Sequence, residues 1–191
     1  RTEPRLPAQP RRPDPLLLAG RIYVADNNLR KAEQTLRQVL DLAPALPEPY
    51  LLLADVYRNT NRVDTALAEF DALVKRNGAN LGARTMAAVL AHVKGNTEDA
   101  KRRYTDLLAV DSPAGVAGNN LAWIYADEKQ NLDVALDLAE RTTEQIPDYA
   151  EAWDTLGWVY QQKQLPLLAI APFEKAVSKN PENAMFHYHL G

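Results

Sequence analysis

The residues with the most chemical potential are three histidines, His92, His187 and His189, and several adjacent carboxylates. His187 and His189 stand two apart, so a helix turns them away from each other. Metal-binding pairs on a helix need a spacing of three or four. His92 stands alone, with no Ser and Asp set beside it. Glu98-Asp99 and Asp127-Glu128 fall in or near turns, where carboxylates favour helix starts and solubility over acid–base work. A P-loop, a dinucleotide fingerprint, a Gly-x-Ser-x-Gly elbow and a His-Glu-x-x-His motif are all missing. The 191 residues hold no Cys, which removes disulfides, thiolate metal sites and a Cys nucleophile. The expectation is therefore a non-catalytic chain with no cofactor and no metal. A formal net charge of -3 argues against nucleic-acid binding, which draws on a basic excess. No apolar run approaches the roughly 18 residues of a membrane span. The compartment stays open between cytoplasm and periplasm.

What remains to do work is a surface, and the elements that would build it repeat. The unit from Ala150 to Asn183 reads Trp153-x-x-Leu156-Gly157-x-x-Tyr160, then Ala169, Phe173, Ala176 and Pro181. Residues 13–46 give Leu16, Ala19-Gly20, Tyr23, Ala32, Leu36, Val39 and Pro44 at the same offsets. Residues 47–80 give Tyr50, Leu53-Ala54, Tyr57, Ala66, Phe70, Leu73 and Gly78. Residues 81–114 give Arg84, Ala87-Ala88, Ala91, Ala100, Tyr104 and Leu107. Residues 115–149 carry one extra residue, with Gly118, Leu121-Ala122 and Tyr125 followed by Ala135, Ala139, Thr142 and Pro147. A sixth unit begins at Ala184.

Each unit holds two apolar stripes at helical spacing, separated by a polar turn such as Lys94-Gly95-Asn96-Thr97. Two amphipathic helices per unit follow. Small residues let the pair approach, and large ones fill the gap to the next unit. Pro15 and Pro49 suit a first helical turn, and Asp14 reads as an N-cap. One unit cannot bury its apolar face alone, so stability comes from stacking.

This pattern resembles the tetratricopeptide repeat (TPR) family over residues 13–183 and the start of a sixth unit. The resemblance implies an all-α, right-handed α–α superhelix of five complete helix-turn-helix repeats plus a truncated sixth, forming one domain over 13–191. It also implies that first helices line a concave groove, with residues two, five, nine, twelve and thirteen of each unit facing inward. Those places include Arg21, Asp55, Arg58, His92, Asn119, Trp123, Asp154, Trp158 and Tyr188. Trp123 and Trp158 fall at the same place in neighbouring units. They read either as anchors for a partner or as packing between adjacent first helices. Asn119 and Asp154, one turn earlier, read either as holders of a peptide backbone or as a solvated face. The carboxylate clamp of chaperone-binding members needs Lys and Asn where this chain has Leu17, Arg21, Leu51, Asp55 and Thr85, so that mode is absent. An asparagine ladder like that of O-linked N-acetylglucosamine transferases is absent too.

The functional expectation is a protein-interaction scaffold that takes a protein or peptide segment in the groove, with no nucleic acid and no membrane insertion. One alternative is a structural segment of a longer array, or self-association through the open sixth repeat. The fourth and fifth units resemble those of bacterial envelope and polysaccharide-export members. Another alternative is a module serving an enzyme elsewhere in a longer chain. Residues 1–12 carry four Arg against one Glu, with Pro at 4, 7 and 10 and again at 13. That spacing reads as an extended polyproline linker or as a ligand for a proline-recognition domain.

Overall fold

The computed structural model describes residues 13–110 and 115–191. The Pro/Arg segment 1–12, with both of its readings, lies outside them. Among the described residues the chain is all helix: α1 (Pro13–Ala25), α2 (Leu29–Leu42), α3 (Glu48–Asn59), α4 (Val63–Arg76), α5 (Leu81–Val93) and α6 (Thr97–Val110), followed by α7 (Gly115–Asp127), α8 (Leu132–Gln145), α9 (Ala150–Gln162), α10 (Pro166–Lys179) and α11 (Ala184–Leu190). Each of the five repeats supplies a first and a second helix, and α11 is the first helix of the sixth. This is an all-α superhelical repeat fold. Asp14 lies inside the first turn of α1 rather than capping it.

One backbone device closes every hairpin. Asn27, Asn61, Gly95, Lys129 and Gln164 have φ between 54° and 87°. The next N–H then reaches back to close the helix end: Asn28 to the Tyr23 carbonyl, Asn96 to Ala91, Gln130 to Tyr125 and Leu165 to Tyr160, at 2.8–3.0 Å. A left-handed residue followed by this back-bond satisfies carbonyls that a helix end would otherwise leave open. The α7–α8 turn absorbs the extra residue of the fourth repeat by adding a second left-handed residue, Asn131. As a result α7 and α8 keep the lengths of 13 and 14 residues seen in α5 and α6. Side-chain caps start other helices: Asn28 accepts from the Lys31 N–H, and Asn80 from that of Ala83.

The small positions are filled as their spacing predicts. Ala32, Ala66, Ala100, Ala135 and Ala169 are at most 1% exposed. A Cβ on Gly157 would sit 2.5 Å from the Phe173 ring, so only glycine lets α9 lie against α10 there. Where an aromatic opens the signature, it ties the first helix to the loop before it. The Tyr50 hydroxyl donates to the Pro44 carbonyl at 2.7 Å, and Trp153 Nε1 to the Pro147 carbonyl at 2.8 Å. In the sixth repeat His187 Nε2 meets the Pro181 carbonyl at 2.9 Å.

The chain forms two compact units, one ending at Asn61 and the other spanning Arg62–Gly191. In the first, α2 packs on both α1 and α3. In the second, α4 to α11 pack in chain order, and first helices also touch: α7 with α9, and α9 with α11. Phe186 anchors α11 in a cluster with Ala150 and Ala176, flanked by Trp153.

Candidate functional site

Within Arg62–Gly191 the first helices α5, α7, α9 and α11 bring most of the expected groove residues together. The helix period places Asn119, Trp123 and Asp127 on one stripe of α7, and Asp154, Trp158 and Gln162 on the matching stripe of α9. Each stripe runs from buried to open. Asn119 and Asp154 are 5% and 7% exposed, both tryptophans are half-buried, and Asp127 is exposed. The Trp123 ring lies 5.8 Å from that of His92 on α5, tilted by 48°.

The second tryptophan meets a histidine from the other side. His189 on α11 stacks on Trp158, with centroids 5.1 Å apart and planes within 23°. Its Nδ1–H donates to Asp154 Oδ1 at 2.8 Å. Phe173 and Tyr188 flank the same imidazole at 5.7 and 6.0 Å. Burial pushes the Asp154 carboxyl above its ordinary value, opposed in part by the bond to His189 and by its charge. Burial lowers the His92 value, opposed in part by the Asp127 charge, so His92 is neutral at neutral pH.

Two buried polar atoms on this face have no hydrogen-bond partner: Asn119 Oδ1, an acceptor, and Trp158 Nε1, a donor. The Asn119 amide is oriented by its other end. Its Nδ2 donates to Asn120 Oδ1, and Asn120 Nδ2 donates to the buried Tyr104 hydroxyl at 3.1 Å. An unmet buried polar group costs about 1–3 kcal/mol. Two on adjacent helices of one face are therefore a feature to explain.

The remaining candidates lie in the unit ending at Asn61. Arg21 is bound through two nitrogens to Glu48, and Arg58 is paired with Asp55 on its own helix. Tyr188 is 79% exposed and joins the α9 cluster through His189. Sequence reasoning set His189 aside because of its spacing from His187, and so missed its role. A signal for it existed. His189 and Asn120 hold the same place in their repeats, as do Phe173 and Tyr104, and in both repeats the polar residue meets that ring. Among the described residues no group of three or more His, Asp or Glu could hold a metal, and no helix is long and apolar enough to cross a membrane.

Comparison with known proteins bears on the repeat. A family model described as tetratricopeptide repeat matches residues 23–90. Over those residues the chain is similar to the tetratricopeptide repeat family. It is similar to TTC0263, a thermophilic TPR protein of Thermus thermophilus. The TM-score is 0.65 at 19% identity, covering 94% of this chain and 97% of that one. It is also similar to YrrB, described as a TPR protein with an unusual peptide-binding site. There the TM-score is 0.57 at 20% identity, covering 92% and 89%. At these identities the likeness concerns the fold. Among curated proteins, the TPR repeat-containing protein PA4667 of Pseudomonas aeruginosa is 27% identical over 161 residues, 84% of this chain. The chain spans 26–29% of the length of the curated relatives it matches. TPR domains bind proteins or peptides and are generally non-catalytic scaffolds, and this chain has that fold.

Proposed function

We propose that the first-helix face of α5, α7, α9 and α11 is a docking groove for an extended segment of a protein partner, and that the chain acts through it as a non-catalytic scaffold. One observation carries this reading: an unmet buried acceptor, Asn119 Oδ1, and an unmet buried donor, Trp158 Nε1, on neighbouring first helices beside two half-buried tryptophans. A peptide backbone offers both complementary groups, an N–H and a C=O, at every residue. Half-buried Trp adds the apolar anchoring typical of interface hot spots. YrrB, of similar fold, is described as having a peptide-binding site, which supports this reading.

The test is a selection of displayed random 12-residue peptides on the native chain. Selected peptides should lose about 2 kcal/mol or more of affinity for a Trp123→Ala/Trp158→Ala variant whose helical circular dichroism is intact. Full affinity of that folded variant would defeat the groove assignment.

A second reading, association through the sixth repeat, is favoured by the exposure of Met185 (56%), Tyr188 (79%) and Leu190 (38%) on α11, and by Leu167 (82%) on α10. Met185 and Tyr188 stand three apart on one face of α11, and a contiguous exposed apolar patch marks an association site. Light scattering across a concentration series checks it. A monomer at high concentration would exclude self-association, and a dimer dispersed by Tyr188→Glu would support it.

A further inference from the structure

Charge is sorted between the two kinds of helix in Arg62–Gly191. The second helices α4, α6, α8 and α10 carry eight Lys and Arg, interleaved with carboxylates. The first helices carry one, Arg84, and its guanidinium is turned away to donate to the Asp106 carbonyl on α6 at 3.0 Å. Against it, α7 and α9 carry the carboxylates Asp127, Glu151 and Asp154 and no cation at all. His92 does not offset them, because burial keeps it neutral.

The α7 stripe makes the point most sharply. From the buried end outward it offers an unmet amide oxygen (Asn119 Oδ1), the indole of Trp123 and an exposed carboxylate (Asp127). All three attract positive charge: the oxygens as acceptors, and the ring through its negative faces. Helix stability does not explain Asp127. It lies in the last turn of α7, where the helix dipole disfavours an anion, and that turn has no basic residue. Asn119 is a second, independent sign of a ligand, since it is 5% exposed and its Oδ1 has no partner.

We propose that the occupant of this groove is a basic segment, with Arg or Lys side chains laid along Asn119, Trp123 and Asp127 of α7. The assignment rests on the groove reading above and names the chemistry of its partner. A guanidinium fits best. It is planar, stacks on an indole, and presents five donors and no acceptor, which suits the Asn119 Oδ1 and Asp127 carboxylate acceptors on either side of Trp123. An acidic segment would meet the exposed Asp127 carboxylate with no cation on α7 to offset it.

The selection described above tests both readings separately when the composition of the selected peptides is read and their affinities are measured by fluorescence anisotropy at about 0.15 M salt, where distant charges are screened. The expected peptides are enriched in Arg and Lys. They should bind Trp123→Ala about thirtyfold more weakly and Asp127→Lys about tenfold more weakly. Asp127→Lys keeps the test decisive if Trp123→Ala fails to fold, because a cation suits a helix C-terminus. Asp137→Lys on α8 makes the same charge change on the second-helix surface and should leave binding unchanged. Equal weakening by Asp137→Lys would reduce the effect to general charge attraction and overturn the proposal. Enrichment of uncharged or acidic peptides that still depend on Trp123 and Trp158 would overturn the basic partner while the groove stood. Peptides indifferent to both tryptophans, or no enrichment at all, would overturn the two together.

Discussion

The two surfaces of residues 62–191 are built to opposite standards. On the second helices, charged groups answer one another. Arg103 bridges Asp71 on α4 and Asp99 on its own helix at 2.6 Å each. Lys101 joins Glu98 to Glu128, and Lys179 reaches Asp148. On the first helices the polar groups are fewer and deeper, and two of them meet nothing. A surface whose polar groups are already matched gains little from a partner. A surface with unmatched ones recovers free energy on contact. The comparison thus separates a face whose charges are matched from one that keeps unmet polar atoms, on a scaffold whose alternating helices are otherwise alike.

Substitutions can break or sharpen that contrast. The largest effect should fall on the joint between the faces, which serves neither. Phe173 fills the space that Gly157 leaves and is 3% exposed, so Phe173→Ala should cost about 3–5 kcal/mol. A large fall in Tm in a thermal melt is the readout. A small fall would mean that the two helix layers do not share a packed interior. Next, Trp153→Phe removes the indole N–H that holds the Pro147 carbonyl and should cost about 1 kcal/mol in urea unfolding. An unchanged midpoint would show that the loop tie is idle.

Acid titration tests the contrast by sign. At Asp99, burial raises the pKa, but hydrogen bonds from Arg103 and Arg102 outweigh it and hold the carboxyl below its ordinary value. Its contribution is present above that ordinary value and is lost as pH falls through the lowered one. Burial holds Asp154 above its ordinary value. The folded chain therefore binds that proton more readily, and stability is lost as pH rises through the raised value. Across a Tm–pH series, Asp99→Asn should remove part of the loss on acidification, and Asp154→Asn a part of opposite slope. Changes of the same sign in both variants would erase the distinction. The smallest effect belongs to Arg102→Ala, an exposed pair with Asp99, which should stay within about 0.5 kcal/mol and leave peptide binding untouched.

The fold was legible because its rules are local. A buried Ala recurs at one place in all five repeats, and no other residue type recurs there, since the helix pair has room for one methyl. The signature aromatics were legible as a pattern, but their bonds were not. Nothing in the spacing of Tyr50 or Trp153 says that each holds a proline carbonyl six residues back. Pro172 is another limit. It sits inside α10, where local rules predict a break, and packing overrides them. The site was half legible. Position within the repeat placed His92 with Trp123, and Asp154 with Trp158, on one face. It could not show which polar atoms lack partners, because that depends on the depth to which each side chain sinks. His189 was hidden for a related reason, since its partners lie 31 and 35 residues back, on another helix.

Residues 27, 61, 95, 129 and 164 share one crank in the main chain. A module cut from one crank to the next can be spliced out, duplicated or swapped while every hairpin keeps its closing geometry. The stretch 128–131 is the exception, because its double crank sets a different stride. An engineer lengthening this scaffold would copy the 61–95 interval and leave that joint alone.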